Sequence, residues 1–552
     1  LKRQLVNVMT YPSKKGQKLL ISEKFQREDN GEICKRIIEV KNPTISFYVT
    51  KPEFKLTTNI NFLEADKVNK VTVPYKDFMP TLFEMSGRSY DEYLEIKNNN
   101  RQALRNIHIN KNFHQTDLYY DDFTIREYLN RFSEEIYPFS LDKSYTDIET
   151  DISNYFAFPE PNLAPCPICL LSYIYAPTKT VYGFILRDPT NKTQKDFLEN
   201  VLSDEWKQKI IDEYLTDAKP ENTANELIIL VFDTELELLK EYFKILHRDK
   251  PDFNGGWSFY FDMKTMHGRL AKLLPKGTSP ESIMCSPEVS SPNVYFNEDT
   301  YNTKEYDKKD KMQVAGYTQF IDMKYIYAAV RKGTGEKDSY SLDAIADEEL
   351  GDGKIELDGD IRTALRKNFE NFLVYSLVDS YRLFQLENKN KDIDLLFKIG
   401  QVTFTKFERT LTKTVCLRNL SADVLAKNGY ILSNNKNSNN SYEEKVKFKG
   451  ALVASPLLME KVGVFLNNMY SNKIFDNVID EDLAGMYPNL IRAGNIDIST
   501  MIGRLFSDCN PILGELLFDL MCVSDKTELG KQFLKLPNAA DVLLNIEEYL
   551  VE

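Results

Sequence analysis

Apolar and polar positions alternate with a period of two at 37–40, 44–49 and 71–73, and charged, turn-rich joints separate these runs. That pattern predicts short half-buried strands over the first 140 residues. Helical spacing follows over 121–132. Two apolar runs, 168–176 and 180–186, flank a short turn containing Pro177 and predict adjacent strands of a meander, with the segment 145–150 as its first strand. Helical patterning returns at 193–215, a buried strand is expected at 226–232, and 235–247 reads as an amphipathic helix with Leu238, Leu239, Tyr242, Phe243 and Leu246 on one face. An aromatic-rich strand is expected to lead up to Asp262, where another helix would begin. The polar stretch 276–311 predicts a loop or insertion outside the core. Ser341 is placed to cap a helix, and a longer helix is expected from 360 to about 387. Strands and helices in this mixed order predict an α/β (mixed α+β multidomain) chain with a covered sheet.

Length and composition narrow the picture. The 552 residues suffice for about three or four domains, each with its own core. No apolar run reaches the roughly 20 residues a membrane helix needs, which argues against a membrane partner. Nothing near Leu1 resembles a signal peptide, so the expectation is a processed start or a window on a longer chain. Seven scattered cysteines point to a reducing compartment such as the cytoplasm. The net charge of −13 weighs against general nucleic-acid binding, yet an acidic metal site with a local basic groove would produce the same total.

Several residues carry chemistry. Asp147 and Glu149, two apart on a strand, share a face and either form a solvated edge or hold a divalent cation. Asp262 either caps a helix or joins such a set. Tyr375 and Asp379, four apart on a helix, also share a face. Cys166 and Cys169 form a lone C-x-x-C, read as packing and not zinc. His108 and His114 lie six apart in an Asn- and Lys-rich stretch and are read as solvated surface residues.

Taken in order, Asp147-Ile148-Glu149, Phe261-Asp262 after an aromatic turn, and Tyr375 with Asp379 resemble the three proofreading motifs of the family B DNA polymerases of bacteriophage type. The connecting segments fit as well: Phe158-Pro159-Glu160-Pro161, Arg269, and Tyr340-Ser341-Leu342-Asp343-Ala344-Ile345-Ala346 followed by Glu349-Leu350-Gly351. Further on, Asp482-Leu483-Ala484-Gly485-Met486-Tyr487-Pro488 is similar to the family's first polymerase motif. The resemblance covers residues 30 to 505. It implies an RNase H-like 3′→5′ exonuclease domain at 141–394, an N-terminal domain at 1–140 with a return segment at 395–447, and the start of a polymerase palm at 448–552.

By the same resemblance Asp147, Glu149, Asp262 and Asp379 would hold two Mg²⁺ or Mn²⁺ ions, and Tyr375 would orient the attacking water. Asp482 would ligate metal at the polymerase site, with Leu483, Gly485, Met486 and Tyr487 binding the nucleotide. The partners implied are primer-template DNA and its single-stranded 3′ end, dNTP once the palm is completed, and a second polymerase fragment or sliding clamp.

Two departures stand out. Trp257 occupies the position of an Asn that the family uses on the terminal nucleotide, leaving Ser258 or Asn254 to replace it. After Asp482 neither the fingers motif nor the second palm aspartate motif follows. The expectation is therefore the N-terminal part of a polymerase, or one subunit of a split one, with a complete editing site. The alternatives are a free-standing 3′→5′ exonuclease and a non-catalytic DNA-binding subunit.

Overall fold

A computed structural model describes residues 1–434 other than 14–15, 55, 57–59, 100–106, 156–158, 218, 352–354, 356 and 358–360. Phe158 and the expected polymerase residues Asp482, Leu483, Gly485, Met486 and Tyr487 lie outside the described residues.

The chain begins with an antiparallel sheet in which β1 (Arg3–Ser13), β2 (Gly16–Gln26) and β3 (Ile33–Val40) follow in order. The second sheet centres β4 (Thr44–Thr50) between β6 (Val68–Pro74) and β7 (Phe113–His114), while β5 (Phe62–Glu64) pairs with the late strand β16 (Tyr430–Leu432). Helix α1 (Tyr120–Arg131) closes a core with Leu5, Val8, Phe47, Ile125 and Tyr128. The strands and helix expected here from periodicity are thus present.

The central sheet has six strands in the order β11-β10-β9-β8-β12-β15. Its members are β8 (Lys143–Thr150), β9 (Ile168–Tyr175), β10 (Thr180–Leu186), β11 (Glu226–Phe232), β12 (Phe253–Gly256) and β15 (Gln319–Asp322). The meander β8-β9-β10 is antiparallel, whereas β12 runs parallel to both β8 and β15, and β11 is parallel to β10. β11 is an edge strand with only Leu227 buried, not the fully buried strand its apolar run predicts.

Helices cover both faces. Along β8 alternate side chains point to opposite sides. Tyr145 joins the cluster formed with α2 (Asp204–Tyr214) and α8 (Phe369–Asn390), while Ile148 joins the cluster of α3 (Glu235–Asp249) and α4 (Phe259–Leu273). Helix α3 starts on a threonine N-cap: Thr234 Oγ1 accepts from Glu237 N–H and donates to the Glu237 carboxylate. It ends at Lys250 in the left-handed region, φ 44°.

Two further expectations are corrected by the packing. The stretch 276–311 is not a loop apart from the core, because Met284, Cys285 and Val289 are buried and β13 (Val294–Asn297) pairs with β14 (Lys311–Val314). Helix α5 (Met323–Val330) follows β15, and α6 (Leu342–Leu350) begins at the expected cap, with Ser341 Oγ accepting from Ala344 N–H. The single helix expected from 360 is two, α7 (Ile361–Lys367) and α8 (Phe369–Asn390), because Asn368 leaves helical geometry and caps the second one. After α8 come α9 (Asp392–Thr403) and α10 (Lys413–Lys427).

Candidate functional site

Asp147 and Glu149 leave the same side of β8, as the period of two requires, and face α8. On α8 Asp379 points back at them, and one carboxylate oxygen from each of the three lies within 4.8 Å of the others. This is the carboxylate cluster that can take a metal among the described residues. Asp262 arrives from the other side of β8, in the first turn of α4, and its strongest carboxylate neighbour is Asp147.

The route to Asp262 differs from the expected one. The aromatic residues Phe259, Tyr260 and Phe261 belong to the helix, and the strand before it is only Phe253–Gly256. Ser258 makes the turn with φ 60° and gives no side-chain cap. Asp322, at the end of β15, supplies it instead: its Oδ2 accepts from Tyr260 N–H at 3.3 Å, and its Oδ1 accepts from Lys324 N–H at 3.1 Å. One carboxylate therefore caps two helices, and burial pushes its pKa up to about 7.

The electrostatics of three of these acids, Asp147, Glu149 and Asp262, agree in sign. Burial first, and then Asp379, hold the Asp147 carboxyl well above the usual range; Glu149 is raised by burial and by Asp147 and Asp379. Asp262 is raised by burial, then by Asp147, Asp322 and Glu149. Like charges this close and this dry favour protonation, or a bound cation, over four bare carboxylates. Asp262 Oδ2 is in addition buried without a hydrogen-bond partner. An all-oxygen donor set with an orphaned acceptor suits a hard divalent ion such as Mg²⁺ or Mn²⁺. Tyr375 is half-buried beside the cluster, and burial together with Asp379, Glu149 and Asp147 raises its phenol pKa.

Of the two residues expected to stand in for the missing Asn, Asn254 is fully buried and already engaged. Its Nδ2 donates to Tyr242 Oη and its Oδ1 accepts from Thr146 Oγ1. Ser258 is the half-buried one, with Lys324 Nζ 3.5 Å from its Oγ. Trp257 is committed elsewhere, donating through Nε1 to Tyr340 O at 2.9 Å.

Other expectations resolve plainly. Cys166 and Cys169 are buried, and Cys169 Sγ donates to Glu149 O, so the C-x-x-C is packing. Arg269 clasps Glu235 through Nε and Nη2 at 2.8 and 2.6 Å and also donates to Ala164 O, seating the loop before β9 on α4. Arg366 is paired with Asp151 and Asp188.

Sequence reasoning missed Arg382 and gave Asp343 no role beyond its place in the segment 340–346. Arg382 Nη1 reaches Asp379 Oδ1 at 3.4 Å and Asp343 Oδ1 at 3.0 Å. The signal was available in the spacing, since Arg382 lies three residues after Asp379 on the same helix.

Residues 147–345 match the family model for the exonuclease domain of DNA polymerase family B. Over 388 residues the chain is 24% identical to the DNA-directed DNA polymerase of Escherichia phage RB69, covering 69% of this chain and 38% of that protein. Over 289 residues it is 20% identical to the DNA-directed DNA polymerase of Enterobacteria phage T4, covering 52% and 29%. The chain thus matches well under half the length of each relative.

Proposed function

We propose, from this chain's kinship with the bacteriophage-type family B DNA polymerases, that its described part is a 3′→5′ exonuclease that edits the end of a DNA strand. The observation that carries this reading is the convergence of four buried or half-buried carboxylates, Asp147, Glu149, Asp262 and Asp379, from β8, α4 and α8. A mixed sheet with helices on both faces supports an RNase H-like fold for 141–394.

The four carboxylates would hold two Mg²⁺ or Mn²⁺ ions, which when bound supply an activated water and charge stabilisation for the leaving 3′-oxygen. Asp147, which faces both the Glu149–Asp379 pair and Asp262, would be shared between the two ion positions. Tyr375 keeps its proton at neutral pH and would orient the water by a hydrogen bond. Ser258 is the side chain open to the terminal nucleotide. Selection of unpaired ends would come from the lower cost of unstacking them.

The wider protein follows from the same kinship. An N-terminal domain at 1–140 with its return segment at 395–447 would flank the exonuclease domain, and β5 pairing with β16 supports that arrangement. Asp482, with Leu483, Gly485, Met486 and Tyr487, would belong to a palm at 448–552 that binds primer-template DNA and dNTP once completed, with a sliding clamp as further partner. Among the described residues no helix is long and apolar enough to cross a membrane, and the proposed place of work is the cytoplasm.

The test uses a 5′-labelled single-stranded DNA and the purified chain with Mg²⁺. Stepwise shortening from the 3′ end is expected. Asp147→Ala should reduce it by more than the roughly 100-fold that losing an outer partner costs a metal site. No shortening by the parent chain, or an unaffected Asp147→Ala variant, rejects the reading.

A further inference from the structure

Arg382 exposes 1% of its surface although it carries a full charge. Burying an ion costs several kcal/mol unless partners hold it in good geometry. Its Nη1 donates to Asp379 Oδ1 on its own helix and to Asp343 Oδ1 from α6. Asp343 is itself held by a fixed segment. Ser341 caps α6 beside it, and Trp257, on the turn that leads into the Asp262 helix, donates to Tyr340 O. Residues 340–343 therefore brace α8 through Asp343 and the start of α4 through Tyr340. They touch both elements that bring carboxylates to β8, and none of the roles assigned above uses them.

We propose that Arg382 and Asp343 are a positioning pair for Asp379: Asp343 holds Nη1 of the guanidinium, the same nitrogen fixes which way the Asp379 carboxylate faces, and the pair thereby sets how tightly the cluster takes a divalent cation. This rests on the metal-dependent nuclease reading. Electrostatics and positioning predict opposite signs here. A guanidinium next to a cation site repels the cation, so charge alone makes its loss favourable to binding. Positioning makes its loss unfavourable, because a carboxylate free to turn gives up a preorganised donor. Lys keeps the charge but replaces the planar, rigid guanidinium with a shorter stem and a freely rotating ammonium, so Arg382→Lys separates geometry from charge.

The experiment is Mn²⁺ binding to the purified chain, followed by calorimetry and by the electron paramagnetic resonance of free Mn²⁺, without DNA. Arg382→Lys and Asp343→Asn are each expected to bind Mn²⁺ about ten-fold more weakly than the parent. The double variant should lose no more than either single one, because both changes break the same link. Asp343→Asn, at a side chain 26% exposed, carries the test if the Arg382 variant does not fold. Unchanged or tighter Mn²⁺ binding in the variants, or losses that add, overturns the pair while leaving the nuclease reading standing. A parent chain that neither binds Mn²⁺ nor shortens DNA overturns that reading, and the pair with it.

Discussion

His114 shows how far a residue's neighbours in sequence can mislead. Its Asn- and Lys-rich surroundings imply a solvated ring, yet the side chain is fully buried between Thr50 Oγ1 at 2.8 Å and Ser433 Oγ at 3.0 Å. The pairing of β7 with β4 turns the ring inward, and its neighbours Gln115 and Thr116 are buried with it. Burial pushes its pKa down to about 4 from an ordinary 6.5. The sign follows from which state takes the proton first. The unfolded chain protonates below pH 6.5 and the folded one only near 4, so the neutral ring stabilises the fold above 6.5, and that contribution is lost as pH falls through this window. The slope is about 1.4 kcal/mol per pH unit and the whole effect on the order of 3 kcal/mol. His114→Gln should therefore flatten the fall in melting temperature between pH 6.5 and 4, and an unchanged slope would contradict the assignment. Asp147 and Glu149 were legible for the opposite reason: a strand's period of two fixes their relation with no knowledge of what lies around them.

At the scale of elements, long periodic segments were readable and short or aromatic ones were not. The meander β8-β9-β10 and helix α3 follow from their hydrophobic periods. The run from Trp257 to Phe261 has the composition of a strand but forms a turn and the first turn of α4, because the sheet position ends at Gly256 and Asp322 supplies the cap. That handover depends on Gly256. A Cβ there would stand 2.9 Å from Thr146 O and press on the Phe259 ring. Thr146 is backbone of β8, next to Asp147, so relief of the clash must move the strand that carries the cluster. Gly256→Ala is expected to destabilise the protein by about 1–3 kcal/mol, as overpacking does, and to weaken Mn²⁺ binding with it. A variant with the parent's denaturation midpoint and Mn²⁺ affinity would show that β8 does not depend on this contact.

Across the whole of residues 1–434, the fold that carries the site is held by a junction that no sequence motif announces. Lys24, from the N-terminal sheet, reaches Asp252 at 2.6 Å and Asp142 at 3.2 Å, where β12 and β8 begin. Lys35 adds a second contact to Asp142, and Tyr317 Oη donates to Asp252 Oδ1 at 2.9 Å. Lys24 and Asp252 are 2% and 0% exposed, and their 2.6 Å pairing is the closest contact either charge makes to offset its burial. The partners lie more than two hundred positions apart, which is why periodicity and local motifs gave no sign of them. Removing one member of such a pair strands the other charge and costs about 3–5 kcal/mol, whereas replacing both with apolar groups can be nearly neutral. Asp252→Ala should lower the denaturant midpoint by that amount, and Lys24→Met combined with Asp252→Leu should recover most of it. The pair sits at the start of both strands, while Asp147 and Glu149 stand near the end of β8. The recovered double variant should accordingly bind Mn²⁺ as the parent does. A double variant that is stable yet has lost the cation would mean that the junction sets the geometry of the cluster as well as the strength of the fold.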